Sequence, residues 1–217
     1  MGKRLANSTA VLFDFDGVVS DTEPHGLRRT MRICSLMGCD LTYEELMPVV
    51  GTSWETEIPL IGSLFEGHGR AFDPSRFDEL DQETPSIYTT APLVPSPGVR
   101  ELIEGLRARG VLVGLISNTD SRLILHGLNR MRMTALFDAI VCYDMVSHGK
   151  PDPEGYRMCM ERLGVTPEEC VTFEDSPSGI AAAKAAGIYI IGYRGTSIVQ
   201  DTSAADETIQ TFEGLLV

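Results

Sequence analysis

Positive charge is scarce along this chain: 18 lysines and arginines face 31 aspartates and glutamates, for a net charge of −13. No basic patch or arginine-rich run offsets that balance, which argues against nucleic acid and anionic membrane surfaces as partners. Long apolar runs are missing too, so no stretch reads as a membrane span. The opening MGKRLANSTA has basic residues but no long apolar run behind them, so a secretory signal is not expected. Alanine at position 6 breaks the myristoylation pattern. CxxC pairs are also lacking. The five cysteines, Cys34, Cys39, Cys142, Cys159 and Cys170, are odd in number and read as reduced, mostly buried thiols of a cytoplasmic protein. The four histidines have no metal-ligand spacing. What remains is the composition of a soluble globular protein. Its 217 residues suffice for one large core, or a core with a smaller inserted domain. The expected state is a monomer.

Within this ordinary composition one stretch stands out, VLFDFDGVVSDTEP at 11–24. Val11, Leu12 and Phe13 form an apolar run that reads as a buried strand. Asp14 and Asp16 follow, and Gly17 breaks the run. On an extended segment, residues two apart point to the same side, so both carboxylates are expected to face one spot. Two like charges at 4 Å repel by about 4 kcal/mol at an effective dielectric of 20. Such a pair needs a cation, a proton or a positive side chain nearby, although taken alone it also fits a polar turn.

Residues 24–90 show helical patterns and no strand-like alternation. A helix is expected over 24–38, with Leu27, Met31 and Cys34 on one face. Thr42 and Glu45 match a capping box that starts another. A short helix over 53–60 is expected to be cut by Pro59, and 66–72 reads as a glycine-rich loop. Asp73 and Pro74 form an N-cap and first-turn pair. Pro92, Pro95 and Pro97 then make a stiff connector. Beyond it helix and strand alternate. Helices are expected at Val99–Leu106, around Leu123, Leu125 and Leu128, at Tyr156–Leu163 and over 178–186. Strands are expected at Val111–Ile116, Ala139–Cys142, Val171–Phe173 and Ile188–Ile191. That order predicts an α/β fold, a parallel sheet covered on both faces, with its chemistry at the carboxyl ends of the strands. The last twenty or so residues give no clear pattern.

Each predicted strand is followed by a polar signature. The first gives Asp14 and Asp16. The second gives Ser117, Asn118 and Thr119, a hydroxyl, an amide and a hydroxyl entering a helix N-terminus, suited to phosphate oxygens. The third leads to Lys150, held by Pro151, and the fourth to Glu174 and Asp175. Singly, these read as a helix cap, a loop lysine and a turn. A parallel sheet would bring all four to one edge. There, four carboxylates and a phosphate monoester would face one lysine, so a divalent cation is required, and Mg2+ suits oxygen ligands. His148-Gly149-Lys150-Pro151 is not a P-loop, which needs Ser or Thr after its lysine. The glycine of Asp14-Phe15-Asp16-Gly17 comes too early for a calcium loop.

In DFDGVVSDTEP, LISNTD, HGKPDP and TFEDSPSGIAAAKAAG, in this order, the chain resembles the haloacid dehalogenase-like phosphohydrolases. It is most similar to the branch with a helical cap after the first strand, which includes sugar phosphatases, phosphoglycolate phosphatases and β-phosphoglucomutases. The resemblance implies a Rossmann-like core at 1–19 and 93–217, with an all-helical cap at 20–92. It implies Asp14 as nucleophile, Asp16 as general acid and base, and Lys150 as the residue steadying Asp14 and the phosphoryl charge. It implies Ser117 and Asn118 as phosphoryl holders. Asp14, Asp175, the carbonyl of Asp16, and Glu174 directly or through water, would ligate Mg2+. Asp16 favours an oxygen leaving group, because a halide needs no proton.

His25, Arg28 and Trp54 are the cap residues expected to read the leaving group of a small phosphorylated metabolite. Gly51-Thr52-Ser53-Trp54 puts tryptophan where the mutase pattern has an arginine for a second phosphate. Trp54 would stack on a sugar face or pack in the cap core. The expected activity is a Mg2+-dependent phosphatase, with a hexose-phosphate mutase and a catalytically quiet phosphometabolite-binding module as the alternatives.

Overall fold

The computed structural model describes residues 2–52 and 54–215. In chain order the elements are α1 (Gly2–Asn7), β1 (Ala10–Asp14), α2 (Glu23–Leu36), α3 (Tyr43–Leu46), α4 (Trp54–Gly67), α5 (Pro74–Glu83), α6 (Ile87–Thr90) and α7 (Val99–Ala108). There follow β2 (Leu112–Ser117), α8 (Ser121–Arg130), β3 (Ala139–Cys142), α9 (Glu154–Leu163), β4 (Cys170–Glu174), α10 (Pro177–Ala185), β5 (Tyr189–Tyr193) and β6 (Glu207–Ile209). They gather into two compact units, one made of residues up to Asp21 and from Pro92 onward, the other of Thr22–Ala91. Among the described residues no helix is long and apolar enough to cross a membrane.

The first unit is a six-stranded sheet of order β3-β2-β1-β4-β5-β6, parallel throughout and flanked by helices. This is the α/β architecture that the alternating pattern predicts. β1 and β4 are buried along their whole length, as inner strands covered on both faces must be. One aromatic cluster runs Phe13, Phe173, Phe212 and Tyr193, with ring centroids 5.1, 5.2 and 4.3 Å apart in turn. A separate core cluster combines Leu12, Ile116 and Val141 from the strands with Tyr156, Cys159 and Met160 of α9. The chain builds β2 and β3 on one side of β1, then crosses to place β4 on the other. That reversal opens a crevice outside the carboxyl ends of β1 and β4.

Several expectations change. Helix α8 buries Ile124 and Leu128 and leaves Leu125 38 % exposed, so its inner face is one residue off the leucine spacing. The unreadable C-terminal stretch supplies β6 and the buried Phe212. Helix α1, which no periodicity announced, buries Leu5 and sets the Arg4 guanidinium 3.7 Å over the Tyr189 ring. All five cysteines are free and buried, and burial pushes the thiols of Cys34, Cys142, Cys159 and Cys170 up to about 12, which leaves them unreactive near neutral pH.

The second unit is helical. Thr42 and Glu45 form the capping box, and Asp73 accepts from the N–H groups of Ser75 and Arg76 at the start of α5. Pro59 does not cut its helix: α4 runs through it to Gly67. A proline inside a helix costs about 3 kcal/mol, but the fully buried Ile61 and Phe65, one turn apart, recover about 1.5–3 kcal/mol each. Trp54 packs against Phe77, 5.9 Å between ring centroids, at the rim of a cluster with Phe72 and Phe65, and stays 45 % exposed. Ser53, between Thr52 and Trp54 in the segment compared with the mutase pattern, lies outside the described residues.

The Glu57 carboxyl of this unit titrates abnormally. Arg29 donates to the Asp81 carboxylate and to the carbonyls of Asp81, Thr84 and Pro85, closing the end of α5. Burial, then the charge of Asp81, push the Glu57 carboxyl up to about 7 against the pull of Arg29. A carboxyl raised in the folded state holds its proton more tightly there than in the unfolded chain. It therefore costs nothing below its ordinary value of 4.5, and stability falls as pH climbs through about 7. Glu57→Gln should stabilise the protein at pH 8 by about 1–3 kcal/mol, roughly 2–12 °C in Tm, and change little at pH 4.5. Melting curves at both pH values decide it; equal melts at pH 8 would show that Glu57 is ionised there without penalty.

Candidate active site

Asp14 closes β1, Ser117 closes β2 and Glu174 closes β4. The register pairs Asp14 with Ile116 and Phe13 with Phe173, so the three strand ends lie level. Beyond them the loops bring in Asp16, Asn118, Lys150 and Asp175. Parallel pairing thus assembles groups more than a hundred residues apart in sequence.

Lys150 is the hub. Its Nζ, almost fully buried, donates to Asp14 Oδ1 at 2.6 Å, to Glu174 Oε1 at 2.5 Å and to the Ile116 carbonyl at 3.4 Å. Burial alone would pull the ammonium down, but Asp14 and Glu174 outweigh it and hold Lys150 above its ordinary value. Asp14 shows the converse. Burial lifts its carboxyl well above the ordinary range, Glu174 and Asp16 add to the lift, and Lys150 offsets only part of it. The pocket therefore carries less positive charge than its carboxylates call for.

The lysine loop is fixed by Asn118. Its Oδ1 accepts from the Lys150 N–H at 2.8 Å, and its Nδ2 donates to the Lys150 carbonyl at 3.1 Å. The Asn118 side chain thus pairs with the main chain of Lys150. Asp16 follows just past the end of β1. Strand β1 ends at Asp14, and Phe15-Asp16-Gly17 turns, closed by Gly17 N–H on the Ser20 carbonyl at 2.8 Å. The Asp16 carboxylate still acts on Asp14, whose carboxyl its charge helps to raise. Asp16 Oδ2 accepts from Ser117 Oγ at 3.3 Å and from Thr119 Oγ1 at 3.0 Å.

Tyr156 was legible only as a core position of α9. It is fully buried, and a buried phenol must place its hydroxyl on a partner. That rule was the available signal. Its hydroxyl donates to Glu174 Oε1 at 2.5 Å. Ser176 Oγ reaches Glu174 Oε2 at 3.4 Å. His25, Arg28 and Trp54 lie in the second unit: His25 is half-buried in the first turn of α2 and Arg28 is exposed on the same helix. The strand-end cluster is made wholly of first-unit residues.

The donor set suits a hard divalent cation. Asp14, Glu174 and Asp175, all buried, each present an oxygen within 4.8 Å of the others'. Gly17, at φ +82°, lets the main chain press onto one of them: a Cβ there would fall 1.9 Å from Asp175 Oδ2. Anionic oxygens in a pocket short of positive charge are what Mg2+ coordinates. The Asp16 carboxylate lies outside this group, turned to Ser117 and Thr119.

Residues 11–193 match the sequence profile of the family described as haloacid dehalogenase-like hydrolase. The chain is 35% identical over 179 residues, 82% of each chain, to a phosphorylated carbohydrates phosphatase of Thermotoga maritima. It is 30% identical, over 90% of each chain, to a validoxylamine A 7'-phosphate phosphatase of Streptomyces hygroscopicus subsp. limoneus. Among solved structures, a putative β-phosphoglucomutase from Thermotoga maritima aligns with TM-score 0.75 and 33% identity over 95% of this chain and 96% of that one.

Proposed function

The chain belongs to the haloacid dehalogenase-like hydrolase family, and from that premise we propose that it is a cytoplasmic, Mg2+-dependent phosphatase of a small phosphorylated metabolite, a sugar phosphate or related monoester. One observation carries this reading: a buried lysine holds Asp14 and Glu174 together beside Asp175, at the carboxyl ends of β1 and β4. The names of the two sequence relatives, both phosphatases of phosphorylated compounds, support the substrate class.

Asp14 is assigned the attack. A carboxylate oxygen bonds to phosphorus as the bond from phosphorus to the ester oxygen breaks, and Asp16 gives its proton to that oxygen. Asp16, now a carboxylate, takes a proton from water, whose oxygen bonds to phosphorus while the Asp14–phosphorus bond breaks. Inorganic phosphate leaves and both aspartates are restored. Ser117 donates to the phosphoryl oxygens, and Lys150 stabilises their charge and orients Asp14. Asn118 acts by fixing the Lys150 loop. Asp14, Asp175, Glu174 and the Asp16 carbonyl would hold Mg2+, which when bound offsets the charge repulsion between nucleophile and phosphoryl group. Choice of leaving group is assigned to the helical unit, with His25, Arg28 and Trp54 as the side chains to vary.

Phosphate release from a panel of metabolite monoesters with Mg2+, in wild type and Asp14→Asn, tests this. Turnover in the wild type should fall at least about 10³-fold in the variant, because the amide removes the nucleophile. An isomerised sugar phosphate without phosphate release would make the protein a mutase. No turnover of any ester would leave it a binding module.

A further inference from the structure

We propose that Glu154 is a positioning residue for Lys150, its carboxylate clamping the main chain of the lysine loop to helix α9; this rests on the role assigned to Lys150 above. Each carboxylate oxygen takes one main-chain donor. Oε1 accepts from the Ser147 N–H and Oε2 from the His148 N–H, both at 2.9 Å. The His148 ring, 74 % exposed, lies farther off, with Nδ1 3.5 Å from Oε2. Glu154 opens α9, and Tyr156, Cys159 and Met160 anchor that helix in the core. The clamp therefore ties the loop to a rigid element. An acid in the first turn of a helix also favours the helix dipole. That role needs no partner, and it does not explain why the two oxygens meet consecutive N–H groups seven and six residues back.

The clamp closes a turn around Lys150. The Asp152 N–H donates to the Gly149 carbonyl at 3.0 Å, and the Glu154 N–H donates to Asp152 Oδ1 at 2.9 Å. Glu154 thus joins the turn through its main chain at one end and through its carboxylate at the other. Gly149 runs so close to its neighbours that a Cβ there would fall 2.8 Å from Asn118 Oδ1 and from the Tyr143 ring. Lys150 follows directly, its own main chain paired with Asn118. A lysine ammonium rides on a flexible four-carbon stem. Its place between Asp14 and Glu174 depends on where the main chain starts that stem. A misplacement of about 1 Å can cost about 10²-fold in rate. Asn118 fixes the loop from the end of β2, and Glu154 fixes it from α9.

A residue that acts through Lys150 has nothing to act on once the lysine is gone. With Mg2+ present, Glu154→Ala should lower kcat/KM for the best monoester of the panel about 10–100-fold. In a Lys150→Met background the same substitution should change it less than about 2-fold, because residues that act as a unit do not add. An equal fold-loss in both backgrounds would make Glu154 a support of the chain at large and overturn the role, as would no loss in the otherwise wild-type chain. Wild-type turnover in Lys150→Met would overturn the assignment of Lys150, and the inference with it. Amide hydrogen exchange reads the positioning without turnover and needs only the single variant. In Glu154→Ala the N–H groups of Ser147, His148 and Lys150 should all exchange at least about 10-fold faster, while those of β1 and β4 keep their rates. A Lys150 N–H that exchanges as in the wild type would confine the clamp to its own two bonds and overturn the proposal.

Discussion

Lys150→Met should destabilise the protein by about 3–5 kcal/mol, the range for removing one partner of a buried ion pair. For a chain of this length that is roughly 6–20 °C in Tm. The loss is large because Lys150 is the ammonium held between Asp14 and Glu174, and Asp175 lies in the same buried cluster. Methionine fills the space of the stem but leaves the carboxylates to repel one another in a pocket with little water. A second substitution shows whether charge or packing is responsible. Glu174→Gln removes one of the repelling groups, so the double variant Lys150→Met/Glu174→Gln should melt higher than Lys150→Met alone. Melts that fall additively would mean that the lysine contributes through its stem. Turnover should fall about 10²–10³-fold in Lys150→Met, the usual cost of removing one preorganised donor to developing charge.

Much of this arrangement was legible beforehand because parallel sheets obey simple rules. Apolar runs at Val11–Phe13 and Val171–Phe173 marked inner strands, and the polar residues just after them had to share an edge. Asp14, Lys150 and Glu174 meet within hydrogen-bond distance for that reason. What sequence reasoning missed are interactions that depend on side-chain direction and local turns. Asp16 sits in the turn just past β1, and its carboxylate accepts from Ser117 and Thr119, partners that no local spacing names. Asn118 matched a phosphate-binding pattern, and its amide pairs with the Lys150 main chain, a contact across 32 residues that no local spacing encodes. Tyr156 shows the same limit from the apolar side. Helical periodicity placed its ring in the core without revealing that its hydroxyl ends on Glu174. Pro59 failed as a helix stop because burial of Ile61 and Phe65 outweighs a local propensity.

Mg2+ should raise the melting temperature, and a chelator should lower it, by more than any surface effect of salt. A ligand that binds only the folded state stabilises by about 2.7 kcal/mol at a hundred times its Kd, which for this size is roughly 5–11 °C. The carboxylates of Asp14, Glu174 and Asp175 converge only in the folded chain, so the unfolded state offers no comparable site. A net charge of −13 makes the control essential, since any cation screens an acidic surface. Matched ionic strength with Na+ removes that contribution. Asp175→Asn then isolates the site: it alters one carboxylate of the cluster, lies outside the contacts that hold Lys150, and should abolish most of the Mg2+ response while leaving the Na+ response intact. If wild type and Asp175→Asn gain the same increment from Mg2+, the cation acts on the surface. The strand-end carboxylates would then have to be balanced by Lys150 and protons alone.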